Sequence, residues 1–183
     1  MKRIFTLVPA LVMLYSAQLF CQDAPPFPKP GPGPERAKLA FLVGKFVTET
    51  HLKPNPMSDK ESVGRGTSNI SYGVDSMFLF LDDESLNPLL GHYKAHGVLG
   101  YDIHDGKYIL TMFNNFGDTP QYKGSMIGDT LVLTTKVEFP KGAFDQKLVW
   151  YSEGKTNRLK IYNDMGRGYA MVIDQIFTPD GTK

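Results

Sequence analysis

The chain has 183 residues, of which 42% are hydrophobic, and its 20 basic and 19 acidic residues almost cancel in charge. A chain with so little net charge has no global electrostatic attraction to nucleic acid or to an anionic membrane surface. Cys21 is the only cysteine, which excludes an intrachain disulfide, so the domain must depend on its hydrophobic core for stability.

Residues 1–21 have the layout of a secretory signal peptide. Lys2 and Arg3 precede an apolar run, Ile4 to Leu14, which is too short to span a bilayer. Cleavage after Cys21 would remove this segment; the alternative is that Cys21 is lipidated and kept as an anchor. Large side chains precede the cysteine, which favours ordinary cleavage. We therefore expect an exported protein, periplasmic or extracellular, without a membrane span.

A proline-rich segment follows at residues 22–35. Its prolines favour an extended, polyproline-like linker over a helix or a central strand, and a ligand for an aromatic groove is the less favoured interpretation. Glu35 to Leu42 contains good helix formers, with apolar residues at Leu39 and Leu42. A short helix is therefore expected to cap one end of a domain at residues 36–180.

The domain itself is predicted to consist of strands. Apolar and polar residues alternate in successive segments, and glycine, proline, asparagine or aspartate lies at most of the turns between them. The predicted strands are residues 44–53, 63–74, 77–81, 91–102, 107–114, 121–127, 130–139, 146–152, 158–165 and 169–177. The acidic run Asp82–Asp83–Glu84 is interpreted as a solvated loop after the third strand.

An open sheet of this size would have two exposed edges, which closure into a barrel removes. A sandwich is the alternative, but the short and uniform connections argue against Greek-key crossovers. We predict an all-β protein, an antiparallel up-and-down barrel of about ten strands, with a short N-terminal helical turn capping one end. About eight strands leave an interior that is just filled or holds one small ligand, so ten should leave some room.

Strand parity predicts which side chains face the barrel interior. In the fourth strand, Tyr93 and Tyr101 share the inner face, whereas His92 and His96 face solvent. Apolar walls with a few polar groups are typical of a small-ligand pocket, although the same residues could simply fill the barrel. The predicted ligand-binding residues are Tyr93, Tyr101, Trp150, Asn163, Met171 and Gln175.

Several segments carry a family resemblance. They are FLVGKF (41–46), HGVLGYD (96–102), KYILTMFNNFGD (107–118) and KGSMIGDTLVLT (123–134). On these segments the chain resembles the bacterial domain of unknown function 1579 family, whose members look like lipocalin-like and nitrobindin-like barrels. Gly44-Lys45-Phe46 resembles the Gly-x-Trp opening of lipocalin-like barrels, with Phe in place of Trp. The resemblance implies a fold and no activity.

Cofactor and metal sites are not predicted. Nitrobindin-like barrels bind haem through a histidine near the C-terminal strand, and this chain has no histidine after His104, so no haem role is carried over. Met165 and Met171 could serve as soft ligands, but packing is their ordinary role. His92 and His96 lie about 13 Å apart along a strand, which is too far for one metal ion.

Three functions remain open at this point. The first is the binding of a small hydrophobic or amphipathic molecule inside the barrel. The second is an enzyme such as an isomerase or hydrolase in the same barrel, which would need a buried ionisable group. Parity assigns no such group to the interior, and no Gly-x-Ser-x-Gly elbow or reactive cysteine is present, so no catalytic residue is predicted. The third is a structural or partner-binding envelope domain with a filled interior.

Overall fold

The computed structural model describes residues 31–55, 58–140 and 142–181. The predicted signal peptide and most of the predicted linker lie outside the described residues. Within the described part, a short α-helix, α1 (Pro34–Ala37), and a 3-10 helix (Ala40–Leu42) precede the first strand. Neither helix is long and apolar enough to cross a bilayer, and the described residues contain no other.

The described strands number ten. They are β1 (Gly44–Leu52), β2 (Ser62–Gly73), β3 (Phe78–Asn87), β4 (Gly91–Asp102), β5 (Lys107–Asn114), β6 (Gln121–Ile127), β7 (Thr130–Phe139), β8 (Gly142–Glu153), β9 (Thr156–Asp164) and β10 (Ala170–Pro179).

The strands form a closed antiparallel barrel in which each strand pairs with the next along the chain. The barrel closes where β1 pairs with β10, with Phe46 opposite Pro179 and Leu52 opposite Ile173. Closure removes the free edges that an open sheet would present to other chains. The predicted fold class, an up-and-down barrel of ten strands with a helical turn at the N-terminus, is confirmed.

The helical segment closes the end of the barrel at which β1 begins. Proline suits the first position of α1, because its missing N–H would have no partner there, so the helix starts at Pro34, inside the predicted linker. The Tyr108 hydroxyl donates to the Glu35 carbonyl at 2.7 Å, and Asn157 Nδ2 donates to the Phe41 carbonyl at 2.6 Å. Leu39 is fully buried, so the segment acts as a plug.

Above the plug, apolar side chains from the surrounding strands fill the lower barrel. Leu79, Leu99 and Leu131 are fully buried, and each contributes on the order of 2 kcal/mol by leaving water. Tyr101 packs here against Tyr108, with ring centroids 5.1 Å apart. This end of the barrel is therefore a packed core.

The acidic run departs from the prediction. β3 does not end at Leu81 but continues through Asp82, Asp83 and Glu84 to Asn87. Asp83 lies opposite Ser68 of β2 and Ala95 of β4. The interpretation as a solvated loop was wrong, because both neighbouring strands provide backbone partners along this entire stretch.

Candidate binding cavity

The upper half of the barrel encloses a cavity of about 720 Å³. It begins above the packed core and opens between the loop from β5 to β6, the end of β7 and the start of β8. Its mouth is lined by Phe116, Pro120, Glu138 and Phe144.

One wall of the cavity is apolar. Trp150 is 3% exposed and Phe177 is 1% exposed, and their ring centroids are 5.5 Å apart. Leu159 lies opposite Trp150 on the neighbouring strand, and Leu110 lines the cavity from β5. This wall can take up the apolar part of a ligand.

The opposite wall holds a carboxyl group. The Asp83 side chain lines the cavity, and its Oδ1 is shielded from water without a hydrogen-bond partner among the described residues. Burial raises the pKa of Asp83 to about 6, and the charge of neighbouring Asp82 acts in the same direction. The nearby Ser68 hydroxyl favours the ionised form of Asp83 and so opposes this rise in pKa. The Ser68 hydroxyl oxygen and Asp83 Oδ1 nevertheless do not form a hydrogen bond.

Other polar groups at this wall also lack partners. The hydroxyl oxygens of Thr48, Thr50 and Ser68 are buried without a hydrogen bond to the described residues, as is Trp150 Nε1 on the apolar side. Buried polar groups are normally satisfied, and one left unpaired costs about 1–3 kcal/mol. Thr48, Thr50 and Trp150 line the cavity, so these unpaired polar groups are gathered around one space.

A satisfied polar network lies beside the unsatisfied groups. The Tyr122 hydroxyl donates to Gln146 Oε1 at 2.5 Å, and Gln146 Nε2 donates to Asn163 Oδ1 at 2.9 Å. Burial first, then the nearby charges, raises the pKa of Tyr93 and of Tyr122 to about 12. Both hydroxyls therefore remain protonated at neutral pH.

Three of the six predicted residues, Tyr93, Trp150 and Gln175, line the cavity. Tyr101 faces inward, as parity indicates, but lies below the cavity in the packed core. Asn163 lies beside Gln146 on the neighbouring strand and accepts a hydrogen bond from it, but Asn163 itself does not line the cavity.

Met171 is placed differently from the prediction. The pairing of β10 with β9 shifts between Met171 and Ile173, so that Met171 lies opposite Tyr162 and Ile173 opposite Ile161. Ile161 and Ile173 line the cavity, which places Tyr162 and Met171 on the outer face. The β-bulge inserts an extra residue and reverses parity on one side of it.

Asp83 is the cavity residue that sequence reasoning missed. A signal was present, because Leu79, Leu81 and Asp83 continue one alternating face of β3. The histidines behave as parity indicates: His92 and His96 are exposed and contact Glu84 and Asp82, each at 2.8 Å. Among the described residues, no group of histidine, cysteine, aspartate and glutamate could hold a metal ion.

A closed antiparallel barrel, plugged at one end and hollow at the other, is the class of protein that this fold and site define. The chain belongs to the family described as "Protein of unknown function (DUF1579)", whose model matches residues 31–160. This match confirms the resemblance found in the sequence.

Among solved structures, the chain is similar to Rv2717c from M. tuberculosis, with a TM-score of 0.59. The two are 15% identical over 81% of this chain and 98% of that chain. At this identity the likeness shows the fold alone. No curated protein matches the chain.

Proposed function

We propose that the barrel binds a small amphipathic molecule, which enters at the open end and lies between the Trp150 wall and the Asp83 wall. The observation that carries this proposal is the cavity of about 720 Å³ with its unpartnered polar groups. Pockets for small molecules measure about 300–1,000 Å³ and combine apolar walls with a few polar groups. A structural or partner-binding domain would need no such space, and the hollow interior removes the main support for that alternative.

Two neighbouring threonines on β7 allow a matched test. Thr135 lines the cavity, whereas Thr134 is exposed on the opposite face of the same strand. Thr135→Phe should fill part of the cavity, and Thr134→Phe adds the same side chain outside it. The probe is N-phenyl-1-naphthylamine, an uncharged dye that fluoresces in apolar surroundings.

We expect saturable dye binding to the wild type, binding weakened at least about tenfold by Thr135→Phe, and unchanged binding to Thr134→Phe. Circular dichroism checks that both variants fold. Absence of saturable binding to the wild type, or equal loss in the two variants, would show that the cavity is not a binding site.

Asp83 supports a second candidate, an enzyme that uses acid–base chemistry. A carboxyl group with a pKa of about 6 inside an apolar cavity can accept and return a proton near neutral pH. The test is the isomerisation of 3-cyclohexenone to its conjugated isomer, followed by ultraviolet absorbance. This candidate predicts that the protein accelerates the reaction above its rate in buffer and that Asp83→Asn abolishes the acceleration. A rate equal to that in buffer would exclude this activity, and binding would remain the proposed function.

We also propose that the protein acts after export, because residues 1–21 have the charge and hydropathy pattern of a signal peptide. The mass of the protein recovered from a secreting bacterial host tests this. A chain that begins at Gln22 fits cleavage, one that retains a lipid on Cys21 fits anchoring, and a full-length cytoplasmic chain contradicts export.

A further inference from the structure

We propose that the molecule bound in the cavity is an amphipathic cation, with a protonated amine beside Asp83 and an apolar body against the Trp150 wall. This inference rests on the proposed binding function and specifies its ligand class.

The charges that line the cavity favour a cation. Asp83, Glu84, Asp118 and Glu138 are acidic, whereas Lys136 is the one basic residue that lines the cavity among those the structure describes. Lys136 alternates with the cavity-lining Thr135 and Val137 along β7, so its side chain belongs to the rim. By the same alternation Glu138 belongs to the rim, and Glu84 lies on the outer face, where it contacts His92. Asp83 and Asp118 are therefore the charges on which the preference for a cation depends. A buried carboxylate ligand would need a basic partner to offset its lost hydration, and the described interior offers none.

Two of the carboxylates act on the same part of the cavity. The charges of both Asp83 and Asp118 disfavour ionisation of the Tyr93 hydroxyl. Asp118 lies in the loop between β5 and β6, at the mouth, and Asp83 lies on β3 further inside. A cation that enters through the mouth therefore meets a negative potential along its path.

The unpartnered groups around Asp83 fit a donor with several N–H bonds. Ser68 lies directly opposite Asp83 across the β2–β3 pair, and Thr48 follows Phe46 on the inner face of β1, where Phe46 lies opposite Ser68. Asp83 Oδ1 and the two hydroxyl oxygens are all buried without partners among the described residues. An ammonium group has three donors and no acceptor, so it can satisfy acceptors and only acceptors.

The remainder of the cavity accommodates the rest of such a molecule. Trp150, Phe177 and Leu159 form an apolar surface, and aromatic faces attract cations as well as apolar chains. A metal ion suits the cavity less, since metal sites need several convergent ligands and no such cluster exists among the described residues.

Three probes of one chain length separate these possibilities: octylamine, octanol and octanoate, which are cationic, neutral and anionic at neutral pH. Their affinities are measured by displacement of N-phenyl-1-naphthylamine and by calorimetry. We expect octylamine to bind at least about tenfold more tightly than octanol, because a hydrogen bond to a charged group is stronger than one between neutral groups. Octanoate should bind most weakly.

Two aspartates next to each other provide the matched variants. Asp83→Asn keeps the size of the side chain and removes the charge, so octylamine should lose its advantage while octanol binding remains. Asp82 is exposed on the outer face and contacts His96 at 2.8 Å, so Asp82→Asn should leave octylamine with most of its advantage over octanol.

The outcomes distinguish this inference from the proposed function. If octanol and the dye bind but octylamine has no advantage, or if Asp83→Asn leaves that advantage intact, the amine assignment is wrong and the binding function stands. Octanoate that binds as tightly as octylamine would also overturn the assignment. If neither the dye nor any of the three probes binds, both the assignment and the binding function are wrong.

Discussion

At the scale of single residues, Asp83 places a carboxyl group on the inner face of the barrel. It continues the inner face of Leu79 and Leu81, yet it brings a carboxyl group with a pKa of about 6 against an ordinary value of 3.8. The folded state holds the proton more tightly than the unfolded state does. The raised pKa of Asp83 therefore contributes to the stability of the folded state below about pH 4, and this contribution to the free energy of unfolding is lost as the pH rises through about 6.

The variant Asp83→Asn should be more stable than the wild type at neutral pH, by on the order of 2 kcal/mol, because it removes a buried charge without a partner. Since the wild-type carboxyl is protonated in acid, the difference should shrink as the pH falls from about 6 to about 4. Urea unfolding across this range measures it, with Asp82→Asn as the control. A difference between variant and wild type that does not change with pH would contradict the burial of the charge.

The turn between β2 and β3 contains backbone strain. Val74, Asp75 and Ser76 have φ angles of 47°, 54° and 63°, in the left-handed region that costs ordinary L-residues roughly 1–2 kcal/mol each. Val74 is β-branched and 63% exposed, so its side chain gains little by burial. Here the local conformation is imposed by the short connection between two paired strands.

The substitution Val74→Gly should raise the free energy of unfolding by about 1 kcal/mol, because glycine adopts this conformation without a steric penalty. Ile103 is a matched control: it lies in the turn between β4 and β5, is 64% exposed and has a negative φ. Ile103→Gly should lower stability through added freedom in the unfolded chain. Denaturant unfolding of both variants checks the prediction, and a loss of stability in Val74→Gly would contradict it.

At the scale of the strands, two glycines permit different close approaches. A Cβ atom on Gly66 would lie 2.1 Å from the Glu84 carbonyl oxygen, so β2 approaches the backbone of β3 there. A Cβ atom on Gly97 would lie 2.5 Å from Met112 Sδ, and the end of a methionine side chain can move aside.

Gly66→Ala should therefore cost about 2–3 kcal/mol, because strand backbones must separate. Gly97→Ala should cost less than about 1 kcal/mol, because rotation of Met112 relieves the contact. Thermal and urea unfolding of the two variants give the comparison. Equal losses would show that the β2–β3 pair is not closed tightly at Gly66.

The strands were largely predictable because alternation fixes both their existence and their inner faces. Thr130–Phe139 agrees with β7 at both ends, and the inward Tyr93 and outward His92 follow parity. The predicted third strand ends too early, because aspartate is uncommon in strands. In the structure, pairing with β2 and β4 outweighs that propensity. The bulge at Met171 has no clear mark in the sequence, since it depends on the register that β9 imposes.

At the scale of the whole molecule, the sequence could not show where the packed core ends and the cavity begins. Tyr93 and Tyr101 lie on the same face of β4 and are indistinguishable by parity. Tyr101 packs in the core beside Tyr108, whereas Tyr93 lines the cavity. The difference arises from the plug, which fills one end of the barrel. The alternation within one strand does not show how far each residue lies from the plug.

The pairing of β1 with β10 also determines when this molecule can fold. The last strand must meet the first across almost the whole barrel domain, so this pairing closes the longest loop among the strand pairs. Because closing a longer loop costs more conformational entropy, we expect this pairing to form late in folding. The other strand pairings join neighbours along the chain and can form earlier, because their loops are short. Trp150, the only tryptophan, contacts Phe177 of the last strand, and Phe177 contacts Phe46 of the first strand. The fluorescence of Trp150 is therefore sensitive to packing at the β1–β10 seam.

In stopped-flow refolding, we expect the Trp150 signal to recover at a rate independent of protein concentration, because closure takes place within one chain. A rate that falls with rising concentration would instead indicate that open strands pair between molecules. Until β10 is in place, β1 and β9 are unprotected edges. The time needed to pair β1 with β10 is thus the period in which the chain can aggregate. The chain avoids aggregation when this pairing forms before two chains meet.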